Sequence, residues 1–322
     1  MPTALWPIDP DFPDADLLAR AANSLRAGKL VAFPTETVYG LGANAFDADA
    51  VGRIFAAKGR PSRNPLIVHV PDATRVHAVA GNWPETAVRL AAAFWPGPLT
   101  MVVPKAKSIP EVVAGGGHSV GIRCPAHPVA RALIAAAGVP VAAPSANRSG
   151  GLSPTTAAHV VASLGDRVDL VLDGGPCHGG LESTVVDLTG PVPRLLRPGL
   201  VRVGMLEAIA GPVEVANSFA CGDDEIPLPS PGLLAKHYAP ATKLEVAETE
   251  AEADQLDAIY RCAGMVVARW RPVGAPEQVA ARLYAELHTL DEGGFDRIIA
   301  TLPAKTDEWR AVRDRLLRAA AE

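Results

Sequence analysis

A chain of 322 residues with a 48% hydrophobic composition exceeds the usual single-domain size and can bury a sizeable core, so two domains are expected. Its formal net charge of -5 excludes a surface that embraces nucleic acid as a whole, though a local basic cleft remains open to it. The four cysteines, Cys124, Cys177, Cys221 and Cys262, form no CxxC pair, which argues against a disulfide framework or a thiolate zinc site and suits a reducing cytoplasm.

The opening MPTALWPIDPDFPDAD has neither a basic leader nor an apolar core and does not resemble a secretory signal. Asp14 can cap a helix with Leu18, Ala21, Ala22 and Leu25 on one face, and Gly28 can end it before a strand at 30–33. Pro34 closes that strand and delivers Thr35, Glu36, Thr37 and Tyr39 into a glycine-containing turn. Asp47 can cap a second helix carrying Val51, Ile54 and Phe55, which stops near Gly59 and leads through Pro61 and Pro65 to a strand at 66–70. Lys58 and Arg60 therefore sit at a helix end.

Further strands are predicted at 99–103, 120–123, 139–142, 168–172, 184–188 and 194–197, and helices at 85–94, 129–137 and 155–164. They describe an α/β domain with a mixed sheet. The apolar stretch 132–143 is broken by Gly138 and Pro140 and is too short to cross a bilayer, so no membrane span is expected. The Pro/Gly-rich, acidic run 211–232 reads as a boundary, with a linker reaching Pro240. Strands and helices then alternate at 243–246, 254–263, 265–268, 276–290, 297–300 and 307–321. That pattern predicts a small Rossmann-like α/β domain without a glycine-rich phosphate fingerprint. The resulting divisions are 1–211, 212–240 and 241–322.

No Walker A sequence occurs, so a nucleotide site would have to be built from dispersed cations and backbone amides. Hydroxyls leaving a strand end beside the paired Lys58 and Arg60 suit an anionic, phosphate-bearing small molecule; the alternative is a hairpin-like turn and an exposed basic helix end. Gly115, Gly116 and Gly117, ahead of His118 and Ser119, can bring backbone N–H groups to phosphate or simply form a surface turn. Arg123 ends the strand VGIR, where a guanidinium can pair bidentately with a carboxylate or serve a structural salt bridge. Ser145 and Asn147 of APSAN can offer a hydroxyl and an amide, or cap a turn. Ser183 lies at a strand start after DGGPCHGG, and Arg197 closes the last strand of the first domain.

In this order, PTETVYGLG, KGR, NPLIVHV, WPGPLT, VGIRCPAHP, APSAN, ESTVVDL, LLRPG and SPGLLAKHYAP resemble the YrdC family of threonylcarbamoyl-AMP synthases in its two-domain form. The resemblance is strong over residues 17–240 and looser beyond. It implies a twisted, open mixed-sheet catalytic domain with a concave, positively lined cleft over 1–211, a linker or lid over 212–240, and the small C-terminal domain. It also implies a nucleotidyltransferase that joins L-threonine, bicarbonate or CO2, and ATP into L-threonylcarbamoyladenylate and pyrophosphate. The product would pass to a transferase complex that modifies an adenosine of tRNA, and direct tRNA contact by this chain is left open.

Residue by residue, the resemblance places Lys58, Arg60, Ser145 and Asn147 at the nucleotide phosphates, with Lys58 and Arg60 acting electrostatically. Asn64, Ser119, Ser153 and Arg197 match further ATP contacts. Thr35, Thr37, His69, Arg123, Ala143 (through its backbone) and Ser183 resemble the threonine side. His69 could instead accept a proton, although a lone strand histidine better suits binding. Mg2+ is expected with ATP, held by phosphates and water because no carboxylate cluster is evident. Lys236, His237 and Tyr238 could fold over the cleft as a lid, or belong to a tether. Hydrogenase-maturation carbamoyltransferases contain a similar domain but also carry zinc-finger cysteine pairs, which this sequence lacks. An RNA-binding module is the remaining competitor, disfavoured by the acidic charge.

Overall fold

The computed structural model describes residues 3–216 and 237–321. Cys221 and Lys236, and with them most of the expected linker, lie outside the described residues. In chain order the first half contains β1 (Ala4–Pro7), α1 (Ala15–Arg26), β2 (Val31–Phe33), β3 (Gly40–Asn44), α2 (Ala48–Lys58), β4 (Ile67–His69), α3 (Glu85–Phe94), β5 (Leu99–Pro104) and β6 (Ser119–Arg123). There follow α4 (Pro128–Ala137), β7 (Val141–Ala142), α5 (Ala157–Leu164), β8 (Leu170–Asp173), β9 (Thr184–Asp187), β10 (Arg194–Arg197), α6 (Val203–Ala210) and β11 (Glu214–Val215). The C-terminal domain contributes β12 (Lys243–Ala247), α7 (Glu250–Cys262), β13 (Val267–Trp270), α8 (Pro276–Asp291), β14 (Arg297–Thr301) and α9 (Arg310–Ala319).

The first eleven strands form one mixed sheet in the order β1-β8-β2-β3-β7-β4-β6-β5-β9-β10-β11. Alternation along its strands divides two cores. Val31, Phe33 and Leu172 meet Leu18, Leu25 and Leu133 of α1 and α4 on one face. Leu30, Ala32 and Val171 point into the larger core on the other, with Val51 and Ile54 of α2. Local chemistry sets the helix ends as read from sequence. Asp14 accepts the Leu17 N–H at 2.9 Å, Asp47 accepts those of Asp49 and Ala50 at 3.0 Å, and Gly59 ends α2 in the left-handed conformation at φ 61°.

The C-terminal domain is a parallel sheet, β12-β14-β13, between helical layers. Ile299 packs with Ala253 of α7, while Ile298 and Ala300 share a core with Leu283 of α8 and Val312 of α9. That second core also takes in Val38, Leu152 and Leu181 of the first domain, so the seam between domains is a continuous apolar interior. At Gly180, with φ 68°, a Cβ would run into the carbonyl oxygens of Ala280 and Ala281, which makes glycine the residue that lets this loop lie against α8.

Some elements differ from the sequence reading. β3, sequence GLGAN, lacks the β-branched residues that signal a strand and is held by pairing with β2 and β7. β1 is a short strand at the sheet edge, parallel to β8, in a proline-flanked segment. α6 was unforeseen, and β11 pairs with β10, so the first sheet continues past residue 211. Among the described residues no helix is long and apolar enough to cross a membrane.

Candidate active site

Parallel pairing of β4 with β6 puts His69 opposite Arg123 at the ends of their strands. Antiparallel β7 runs beside β4, and Ala143 donates its N–H to Ile67 O at 2.9 Å, so Ala143 and Ser145 line the same cleft from the other end of β4. From β2 the chain enters the hydroxyl turn: Thr35 Oγ1 lies 2.8 Å from Thr37 Oγ1 and donates to Val38 O at 2.7 Å. These groups line a cleft together with Arg60, Ser183, Arg197, His237 and Tyr238.

Arg123 combines both of its sequence readings. Its Nε donates to Gly97 O at 3.3 Å and its Nη2 lies 2.8 Å from Glu36 Oε1, yet the guanidinium still faces the cleft. Arg197 donates from Nε to Ser183 O at 3.1 Å and from Nη2 to Ser183 Oγ at 3.2 Å, tying the ends of two neighbouring strands together. Arg60 donates to Asn64 Oδ1 at 2.6 Å and to Pro65 O at 2.8 Å, which orients it from below.

Other predicted residues stand behind the wall. Lys58 Nζ donates to Ser145 O at 2.6 Å and to Asn147 O at 2.5 Å, so it underpins the APSAN loop. Asn147 in turn donates to Gly151 O at 2.8 Å, and Asn64 braces Arg60. Ser153 donates to the Glu182 carboxylate, which itself lines the cleft. Ser119 opens β6 at the end opposite Arg123, about 13 Å away by strand rise, and does not line this cleft. The three glycines before His118 donate their N–H groups to Val112, Glu111 and Ala114 carbonyls, the arrangement of a turn.

The electrostatics favour an anionic ligand. Burial, with repulsion from Arg197, lowers Arg60 to about 9 despite an opposing influence of Tyr238. Burial and then Arg60 push Lys58 well below its ordinary value. Burial would raise Glu182, but Arg315 and Arg197 outweigh it and hold the carboxylate at about 2. His69 falls to about 3 through burial and Arg123, and its Nδ1 has no hydrogen-bond partner among the described residues. The same is true of His237 Nδ1 and Tyr238 OH. Buried cations held at depressed affinity for their protons, beside unsatisfied polar atoms, are what a polyanionic substrate would relieve.

The sequence reading missed three contributors. Glu182 entered only as the first residue of ESTVVDL, and nothing local marks it as an anchor. Tyr284 and Arg315 come from the C-terminal domain, where RDRLLRAA reads as an ordinary amphipathic helix. Tyr284 OH donates to Glu182 at 3.0 Å, and Arg315 Nε does so at 2.8 Å. Tyr238, at φ 63°, is a left-handed non-glycine residue, a conformation that costs roughly 1–3 kcal/mol and persists where surroundings enforce it.

Residues 23–199 match the Sua5, YciO and YrdC family described as "Telomere recombination", and residues 201–321 match "Threonylcarbamoyl-AMP synthase, C-terminal domain". The chain is 42% identical to the threonylcarbamoyl-AMP synthase of Bacillus subtilis, across 94% of this chain and 92% of that protein. It is 39% identical to the Pyrococcus abyssi protein of the same name, across 93% and 92%. The crystal structure of P. abyssi Sua5 complexed with L-threonine superposes with a TM-score of 0.92 at 37% identity, covering 99% of this chain and 98% of that one.

Proposed function

The chain belongs to the threonylcarbamoyl-AMP synthase family in its two-domain form, and from that premise we propose that it makes L-threonylcarbamoyladenylate and pyrophosphate from L-threonine, bicarbonate or CO2, and ATP. The reaction is the first step of threonylcarbamoyladenosine modification of tRNA, with the product consumed by a separate transferase complex. The observation that carries this reading is one cleft in which Arg123 and His69 stand side by side next to the buried cations Arg60 and Arg197.

Arg123, steadied by Glu36, receives the threonine carboxylate, while Thr35, Thr37, Ser183 and the Ala143 backbone surround the rest of the amino acid. The threonine ammonium gives one proton to solvent or bicarbonate, the free amine bonds to the carbon of CO2 as one C=O π pair moves to oxygen, and a second N–H proton leaves to solvent, giving a carbamate. A carbamate oxygen then attacks the α-phosphorus, and the bond to the bridging oxygen breaks as pyrophosphate leaves with its electron pair. The nucleophile comes from the substrate, so the protein's task is to align the reactants and neutralise phosphate charge.

Arg60 and Arg197 supply charge at the cleft, and Lys58, Asn64 and Asn147 hold the segments that present it. Ser145 faces the nucleotide, Ser153 donates to the Glu182 carboxylate in the cleft wall, and Ser119 rests on the family resemblance alone. His69, kept neutral by burial beside Arg123, suits hydrogen bonding to threonine better than proton abstraction at neutral pH. Mg2+ arrives as part of the ATP complex. The ionisable groups lining the cleft are Arg60, His69, Arg123, Arg197 and His237 alongside Glu182, whose oxygens are already engaged, so phosphates and water would carry the ion. His237 and Tyr238 act as the lid that shields the product from water.

The test is pyrophosphate release by the purified chain with Mg2+ and ATP, omitting one co-substrate at a time. Release should require both threonine and bicarbonate; undiminished release without threonine contradicts the assignment.

A further inference from the structure

We propose that Arg315, on α9 of the C-terminal domain, is a positioning residue for the nucleotide end of the cleft. It draws the Glu182 carboxylate away from Arg197 and fixes Tyr238 against the pocket wall. The inference rests on the adenylate-forming reading of this cleft and assigns the C-terminal domain a part in it.

The Arg315 side chain is 1% exposed, and each edge of its guanidinium is engaged. Nε donates to Glu182 Oε2 at 2.8 Å, Nη1 to Asp314 Oδ2 at 2.6 Å, and Nη2 to the carbonyl of Pro198 at 3.0 Å, the residue after Arg197. Its face covers the Tyr238 ring, with Cζ 4.8 Å from the centroid. One side chain thus touches the carboxylate, the aromatic wall and the turn beyond a cleft arginine. α8 adds two contacts of its own: Tyr284 OH on Glu182 at 3.0 Å, and His288 Nε2 3.2 Å from the carbonyl of Ser153.

A seam made only to hold two domains together is served as well by apolar packing, because burying an ion pair costs desolvation that its attraction seldom exceeds. This seam already has that packing in Val38, Leu181, Leu283 and Leu287. The ion pair lies where the seam meets the cleft, and both Glu182 and Tyr238 line that cleft. Ionised Glu182 is attracted to Arg197 as well as to Arg315. Without Arg315 its attraction would turn to Arg197, neutralising charge that a triphosphate needs.

Tyr238 is held from the same side. His237 N–H donates to Arg318 O at 3.2 Å, Ala239 N–H to Gly150 O at 2.8 Å, and the ring packs 6.0 Å from that of Tyr284. These contacts maintain the left-handed backbone at Tyr238. Truncating Arg315 removes the guanidinium face from its ring.

The experiment titrates the full-length chain calorimetrically with a non-hydrolysable α,β-methylene ATP analogue and Mg2+, alongside thermal melting. Arg315→Met should weaken analogue binding by about tenfold or more, with the far-ultraviolet spectrum retained. Arg315→Lys, which keeps the charge but not the fork, should fall between. Adding Glu182→Gln to Arg315→Met should recover binding, since the carboxylate that competes with phosphate is then neutral. A merely structural role gives no such recovery. Equal affinity in wild type and Arg315→Met, or a double variant that binds no better than the single, overturns the proposal. Should Arg315→Met not fold, unchanged affinity in Arg315→Lys overturns it equally. Failure of the reaction itself is read elsewhere, in a wild-type chain that releases no pyrophosphate with threonine and bicarbonate.

Discussion

The ammonium of Lys58 meets the carbonyl oxygen of Ser145 at 2.6 Å, from beneath the loop that presents Ser145 to the cleft. Lys58 is therefore used in shaping the proposed nucleotide site, and removing it should affect fold and turnover together. Lys58→Ala leaves buried carbonyls of Ser145 and Asn147 without their donor, at about 1–3 kcal/mol each. Urea unfolding should show a lowered midpoint, and pyrophosphate release should fall in parallel. Arg60→Ala removes charge from the cleft itself and should cost on the order of 2–4 kcal/mol in transition-state stabilisation. Normal turnover in both variants at saturating ATP would refute these roles.

Arg123 presents a planar fork where a carboxylate is expected, steadied by Glu36 at 2.8 Å. Arg123→Lys replaces a bidentate donor with a point charge, so the KM for threonine should rise by about tenfold or more while the KM for ATP changes little. Steady-state kinetics with each substrate varied in turn checks this. An equal rise in both constants would point to general disruption.

Acid should destabilise the fold before it reaches ordinary carboxylates. Folded His69 refuses a proton down to about pH 3, whereas in the unfolded chain it titrates near 6.5. In that window the unfolded state binds more protons, so stability is lost as pH falls, by up to about 1.4 kcal/mol per pH unit for such a group. His159 and His237 are also lowered and act in the same direction. Glu182 adds to the loss as pH drops from 4.5 toward 2. Denaturant midpoints measured between pH 7 and 4.5 should decline, and His69→Gln should flatten the slope; a flat wild-type profile would contradict the buried, neutral state of these histidines.

His237 and Tyr238 close one side of the cleft, and Tyr238 is also buried in the core shared by the two domains. Replacing both with alanine should greatly reduce adenylate formation while leaving circular dichroism unchanged. Retained full activity would reduce the lid to a tether.

Much of this architecture was legible in the chain. Asp14 and Asp47 announced their helices, α3 runs from Glu85 to Phe94 as its periodicity required, and ordered motifs singled out Thr37, His69, Arg123 and Arg197. What escaped was long-range. GLGAN becomes a strand because β2 and β7 pair with it, not through propensity. Glu182 and Arg315 are 133 residues apart, and no local pattern links a glutamate before a strand to an arginine in a C-terminal helix. Lys58 points into the carbonyls of the APSAN loop and does not line the cleft, a direction that spacing at a helix end does not give.

The central claim is that this cleft joins threonine, inorganic carbon and the AMP moiety of ATP. The most direct measurement is mass spectrometry of the nucleotide formed with L-threonine, ATP and isotopically carbon-labelled bicarbonate. The account predicts an adenylate carrying threonine and a single labelled carbon, formed in step with pyrophosphate. An adenylate of threonine without the labelled carbon, or conversion of ATP to ADP alone, would contradict it.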